Sequence, residues 1–509
     1  MRTLKIISLI LSLCLLLGIL AACGNEGDDK STGQQSNAES KGEESNNQNQ
    51  SEVSDFSEVS EDTDPLSHIP YQNLDRDITF LVENYNGGGY GSQEIMPKED
   101  SPVSVYVAER NDMVEERLGV KIKEIRTDNM INDLRTAAAA STPFDIAMPY
   151  MTSAGPLIQE NLFYDLYEFS DIINFDAPYW DQNAEESLSM GNKLYLATGD
   201  FSVLTMDVTH CMLFNKKIVD DNGLENPYDL VKDNKWTLDK MLSMAKAVTA
   251  DTDGQPGITF KDTVGLFINQ NYANSLFIGS GESFVKKNAE GVPELTLRTV
   301  KSVDVVDKIF DIFSDANVLV DERFNTDAIN AGYTNCYWAA RDALGTNRAL
   351  FVTISLSDIH NMAQYADTCD FGLLITPMYS DTQDRYYSYI SIIFATGCVI
   401  PVSNEEPEIA ALALEAIAAA STSTVKTNYY ERIIKLQKMQ DEESEKMLDL
   451  IFNTRVYDIG ALYNWNSIRD FVSTCVTGTT NTFTQSYDSQ KDAFINAMQE
   501  TIDYFSQNN

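Results

Sequence analysis

The chain has 509 residues, of which 77 are acidic and 37 basic, giving a formal charge of −40, and 43% of it is hydrophobic. Affinity for nucleic acid comes mainly from Lys and Arg neutralising phosphates, so a chain this acidic is excluded as a general nucleic-acid binder. Length and hydrophobic fraction suit a large globular unit of two lobes or domains.

Residues 1–22 read as a secretory signal: basic Arg2 and Lys5, an apolar run over residues 6–20, and then Leu20-Ala21-Ala22-Cys23. The run is shorter than the roughly 20 residues a membrane span requires. Its last four residues resemble a bacterial lipobox, which implies lipid on Cys23, cleavage after Ala22, and anchoring at the outer face of the cell membrane. Residues 23–75 are expected to form a disordered acidic tether. Residues 24–65 hold twelve acidic residues against two lysines and almost nothing large and apolar. Such a segment cannot offset its ordering entropy, and its self-repulsion extends it.

The folded part opens with a strand at Ile78-Thr79-Phe80-Leu81-Val82, leaving through a polar, glycine-rich loop. A helix over residues 103–118, stopped by Gly119, and a strand from Val120 complete a β-α-β unit. A helix at 134–140 and a short strand at 144–148 follow. Strands are expected at 193–197 and 208–214, and Trp236-Thr237 opens a helix with Thr237 as N-cap and Leu238, Met241, Leu242, Ala245 and Val248 on one face. Further strand-rich zones lie at 349–352, 371–377 and 390–402, and helices at 405–420 and 426–452. Alternation of strand and helix predicts α/β architecture with parallel sheets. The five cysteines after Cys23 show no CxxC and read as buried free thiols.

The order of the segments FDIAMPYMTSAGPLIQENLFYDL, YWDQNAEESLSMGNKLYLATGD, MLFNKKIVDDNGLENPYDLVKDNKWTLDKM and ESEKMLDLIFNTRVYDIGALYNW resembles the extracellular solute-binding proteins, family 1, which deliver carbohydrates to ABC importers. The resemblance implies a periplasmic-binding-protein-like fold with two discontinuous α/β lobes, a hinge and an interlobe ligand cleft. Lobe 1 is expected over residues 76–202 plus 385–425, and lobe 2 over 203–384 plus 426–509. It further implies a monomer that closes on its ligand and docks on the transmembrane subunits of a permease.

Sugars offer hydroxyls at the rim and C–H faces above and below, so aromatic rings together with carboxylates and amides are the residues sought. Ligands of open α/β sheets sit outside the carboxyl ends of strands. That rule nominates Asn84, Tyr85, Tyr150 and Asp200. Tyr272 is a further candidate from the second lobe, and the resemblance over YDIGALYNW adds Asp458, Tyr463 and Trp465. No GxSxG, HExxH, GxxxxGK[ST] or complete GxGxxG occurs and only three histidines exist, so neither a cofactor nor a metal is indicated. A binding protein without catalysis is the favoured reading. The rivals are a cell-surface glycoside hydrolase, since paired carboxylates need no signature, and a sensing lipoprotein that does not transport.

Overall fold

The computed structural model describes residues 64–84, 94–98, 101–139, 144–436 and 442–507. The leader, Cys23, residues 23–63 of the expected tether, and Tyr85 lie outside the described residues. Residues 64–75 belong to the folded unit: Leu66 and Ile69 are buried, and their carbonyls accept from Arg117 Nη1 at 2.7 and 2.6 Å.

The first lobe is built on β1 (Arg76–Glu83), which pairs in parallel with β2 (Val120–Thr127) and β3 (Ile146–Met148). Ile78, Phe80 and Val82 of β1 alternate into one core. The helix Ser104–Leu118 connects β1 to β2 and stops at Gly119, whose φ of 65° and N–H bond to Glu115 O make the left-handed cap. A Cβ there would also lie 2.8 Å from Asn73 Cα, so glycine is required twice over. Beyond β3 the sheet is widened by antiparallel bridges from Ala147 to Val399 and from Cys398 to Ala197, so chain from far downstream completes it. The alanine-rich helix Pro407–Ser421 packs over this lobe. The stretch Pro407–Ile433 is long and apolar enough to cross a membrane, yet 72% of its apolar window is buried inside the protein, which marks a core helix. Glu415 within it is 1% exposed and is satisfied by Trp180 Nε1 at 3.1 Å, Asn174 N at 3.3 Å, His68 Nε2 at 3.2 Å and the Tyr179 hydroxyl.

The second lobe carries β4 (His210–Asn215), β5 (Val264–Ile268), an outlying hairpin of β6 (Val285–Lys287) and β7 (Pro293–Leu295), then β8 (Val318–Val320), β9 (Ala349–Ser355) and β10 (Phe371–Leu374). The sheet order is β10-β4-β9-β5-β8, with β5 parallel to β8 and β9, and β4 antiparallel to β9 and β10. Thr237 caps the helix Leu238–Val248 by accepting from Lys240 N at 3.2 Å, and that helix lies directly on β5. A Cβ on Gly265 would meet Ala245 O at 2.0 Å, so this contact admits glycine alone.

The lobes are joined where Thr209 bridges Ile390 and where β11 (Ser388–Tyr389) pairs with β12 (Arg455–Val456). The strands expected at 193–197 and 390–402 are extended but pair mostly at isolated bridges. Their partners change from residue to residue, Ala197 meeting Cys398, Val399 meeting Ala147 and Thr396 meeting Tyr150, so no continuous ladder forms. The helix expected over 426–452 is two helices, Thr427–Leu436 and Glu442–Asn453, with residues 437–441 outside the described set. It is preceded by a π-helical turn, Thr422–Lys426, in a Ser/Thr run whose hydroxyls bond back to carbonyls four and five residues away, including Ser421 Oγ to Ile417 O at 2.7 Å and Thr427 Oγ1 to Thr422 O at 2.8 Å. All five cysteines after Cys23 are free and buried.

Candidate ligand-binding cleft

The parallel strands of the second sheet end side by side, and the residues that follow them gather around a cavity of about 300 Å³. Asn269 follows β5, Asp321 follows β8, and Asp358 stands three residues past β9; His210 begins the antiparallel β4 at the same edge. The lining also includes Tyr389, Ser391, Ile393 and Phe394 of the crossing segment, and Asn274, whose Nδ2 donates to Arg469 O at 2.9 Å. Phe394 also presents its ring edge-on to Tyr150 of the first lobe, centroids 6.4 Å apart at 88°.

Helix position places Arg341 here. It sits on Cys336–Gly345, N-capped by Asn335, and its guanidinium lies 5.1 Å from the Trp338 ring centroid and pairs with Asp358. Asp358 in turn accepts from Ser355 N at 3.2 Å, fixing its own position at the end of β9. Asp321 is 1% exposed; burial first, and then the neighbouring Glu322 carboxylate, push its carboxyl well above the usual range. Four buried polar atoms of the wall have no hydrogen-bond partner among the described residues: Asp321 Oδ1, Asn274 Oδ1, Arg341 Nε and Arg469 Nε. Two of these atoms accept and two donate, the mixture that hydroxyl groups can answer.

Of the residues nominated from sequence, Tyr272 lines the cavity: it is 2% exposed, stacks on His210 at 5.4 Å and 7°, and its hydroxyl lies 3.1 Å from Thr376 Oγ1. Tyr150 and Asn84 stand together at the first lobe's strand ends, with Tyr150 Oη donating to Asn84 O at 3.0 Å. Asn84 Nδ2 is used on Asp128 Oδ1 at 3.0 Å. The structure gives the remaining four described nominees fold contacts away from this cavity. Asp200 holds the π-helical turn, accepting from Thr422 Oγ1 at 2.7 Å and pairing with Lys426 Nζ at 2.9 Å. Asp458 is an N-cap that also accepts from Phe284 N at 2.8 Å, and burial pushes it up to about 6. Tyr463 stacks on Trp465 at 5.3 Å, and Trp465 donates to Thr501 Oγ1 at 2.7 Å, docking the C-terminal helix.

Sequence reasoning passed over His210, Asp321, Arg341 and Phe394. The strand-end rule that chose Tyr150 would have reached Asp321, had a strand as short as Val318-Leu319-Val320 been legible. Arg341 carries the signal of a lone cation in the small, apolar helix CYWAARDALG. Elsewhere, the carboxylates of Asp251, Asp253 and Asp262 lie within 4.8 Å of one another. Asp262 is already occupied by the N–H groups of Thr252, Asp253 and Thr259 at 2.6–2.8 Å, which hold it down to about 2, and the group reads as a loop clasp.

Burial pushes the imidazoles of His210 and His360 down to about 4, with the Arg432 guanidinium adding to the effect at His360. An unfolded histidine takes up its proton near pH 6.5, whereas these two stay neutral in the native state. The stability they contribute is therefore complete above about pH 6.5 and is lost as pH falls towards 4. Imidazole NMR signals of these two residues are expected to hold their neutral positions at pH 5.5, and His360→Gln to lessen the fall in melting midpoint between pH 7 and 5. Titration of both near 6.5 would contradict this packing.

A family model for bacterial extracellular solute-binding proteins matches residues 109–430. No curated protein matches the sequence. Among solved structures the chain is similar to the maltose-binding periplasmic protein MalE from Listeria monocytogenes in complex with maltose, at 13% identity and a TM-score of 0.52, over 86% of this chain and 99% of that one. It is also similar to a cyclo/maltodextrin-binding protein complexed with maltotetraose, at 13% identity and a TM-score of 0.53, over 83% and 97% of the two chains. Likeness at that identity establishes the fold, two α/β lobes.

Proposed function

We propose that this chain, which belongs to the bacterial extracellular solute-binding proteins, captures a carbohydrate in the cavity beside Asp321 and Arg341 and delivers it to the permease of an ABC importer. The observation that carries the carbohydrate reading is the pairing of two acceptors and two donors that make no hydrogen bond among the described residues, one donor lying within ion-pair range of Asp470, in a wall that also contains Tyr272, Tyr389 and Phe394. Hydroxyls answer the first set and sugar C–H faces the second. The sugars in the two similar structures favour the same class. Binding would draw the lobes together about the segments near residues 199–210, 388–396 and 421–426, each lobe moving as a body. The signal at residues 1–22 and Leu20-Ala21-Ala22-Cys23 favour a lipid anchor at Cys23, holding the protein at the outer face of the membrane.

The test is a titration with mono- and oligosaccharides, followed by melting midpoint and by fluorescence, for which Trp338 beside Arg341 is well placed. A ligand that binds only the native state raises its stability. A saturable shift with one sugar and no cleaved product is expected. Product would turn the reading to a glycoside hydrolase, and no shift with any sugar would remove carbohydrate from it. For the anchor, Cys23→Ser is expected to release the protein from the membrane fraction.

A further inference from the structure

Two arginines in a cavity of this size invite an acidic ligand, but the charge of each is already answered by a carboxylate of the wall. Arg341 pairs with Asp358, and Arg469 Nε lies 3.5 Å from Asp470 Oδ1. The next carboxylate along from Asp321, Glu322, is likewise used: it accepts from Gln270 N at 3.0 Å and from the Tyr337 hydroxyl at 3.0 Å. Asp321 is the lining carboxyl left over, 1% exposed, with Oδ1 unpartnered among the described residues. A buried carboxyl oxygen without a hydrogen-bond partner costs stability, so its presence asks for a reason outside the fold. A ligand carboxylate or sulfate at this point would face Asp321 with no uncommitted cation beside it, whereas a hydroxyl would donate to Oδ1.

Resting on the carbohydrate reading above, we propose that Asp321 is the specificity-determining residue of the cleft, accepting a hydroxyl of an uncharged sugar and excluding uronates and sulfated sugars. Exclusion follows from the unpaired desolvation of the incoming anion, which meets a buried carboxyl and no uncommitted cation. The neighbouring Arg341 Nε then serves as donor to an adjacent hydroxyl, so a vicinal pair of hydroxyls satisfies both atoms.

Glucose, galactose, mannose, maltose and cellobiose, each beside its C6-oxidised counterpart, are titrated calorimetrically into the protein and into Asp321→Asn. The expected result is that any sugar bound by the wild type is preferred over its uronate by at least about tenfold, the scale of one buried group left unpaired. Asp321→Asn is expected to weaken the neutral sugar by at least about tenfold and to reduce the preference below about threefold. Without ligand, Asp321→Asn is expected to melt no lower than the wild type, because the amide removes an unmatched acid; a merely structural aspartate would give a lower midpoint. A wild type that prefers the uronate overturns the proposal, as does an Asn variant that melts lower and keeps its sugar affinity and selectivity. Failure of every sugar, neutral or oxidised, overturns the carbohydrate reading, and the ligand-free midpoint still decides whether Asp321 is kept against the interest of the fold.

Discussion

Arg341→Ala is expected to lower stability by roughly 3–5 kcal/mol and to abolish ligand binding together. The guanidinium is held between the Trp338 ring and Asp358, with side-chain exposures of 10% for Arg341 and 16% for Asp358. Truncation leaves Asp358 without its counter-ion and Asp321 without the one cation whose charge opposes its other neighbours. Breaking one side of such a pair costs more than never having built it, because the remaining charge stays buried. Melting scans of the variant should show a fall of about 6–10 °C, taking a large domain to lose about 2 °C per kcal/mol. The double variant Arg341→Met/Asp358→Leu separates the two roles. Apolar replacement of both partners should restore most of the midpoint, while sugar binding stays lost because the donor at Nε is gone. If Arg341→Ala melts beside the wild type, the ion pair does not hold this helix; if the double variant regains binding, the guanidinium is not a ligand contact.

The fold was legible where a local chemical rule coincides with the tertiary role. Gly119 stops a helix because it alone takes a left-handed cap against Asn73, and Thr237 starts one because its hydroxyl reaches Lys240 N. The strand-end rule likewise led to Tyr150 and Asn84, which do meet at the end of β1. It led to less in the second lobe, because the strand that delivers Asp321 is only Val318–Val320, too short for alternation to show. Arg341 and His210 were hidden for another reason. Each gains its meaning from partners distant in sequence, Asp358 for one and Tyr272 and Ser275 for the other. The segment YDIGALYNW carried the family resemblance strongly, yet Asp458 caps a helix and Trp465 docks on Thr501. Order of segments reports the course of the backbone through the fold, and says little about which side chains face the cleft.

Phe394→Ala is expected to weaken sugar binding by about tenfold to a hundredfold while lowering the melting midpoint of the ligand-free protein by a smaller margin, since the ring is half-buried there. The ring is half-buried, lines the cavity and meets Tyr150 edge-on, so it touches both the ligand space and the first lobe. Its backbone lies in the crossing segment: Ser391 N donates to Val208 O at 3.2 Å on one side, and Met151 N donates to Ala395 O at 2.8 Å on the other. Tyr150 is itself fixed, its N–H on Glu83 Oε2 at 2.9 Å and its hydroxyl on Asn84 O. A sugar face resting on Phe394 therefore presses, through one aromatic contact, on the strand ends of the first lobe. Loss of the ring removes about 1.5–3 kcal/mol of apolar burial, of which the contact with Tyr150 is present without ligand and the rest is completed by ligand, so affinity should fall further than stability. Phe394→Leu keeps part of the volume without the flat face and should fall between. Small-angle scattering distinguishes a lost contact from a lost linkage: at saturating sugar the wild type should compact, and Phe394→Ala should bind without compacting to the same radius. Equal compaction at equal occupancy would assign the ring to ligand contact alone and place the coupling of the lobes elsewhere in the crossing segments.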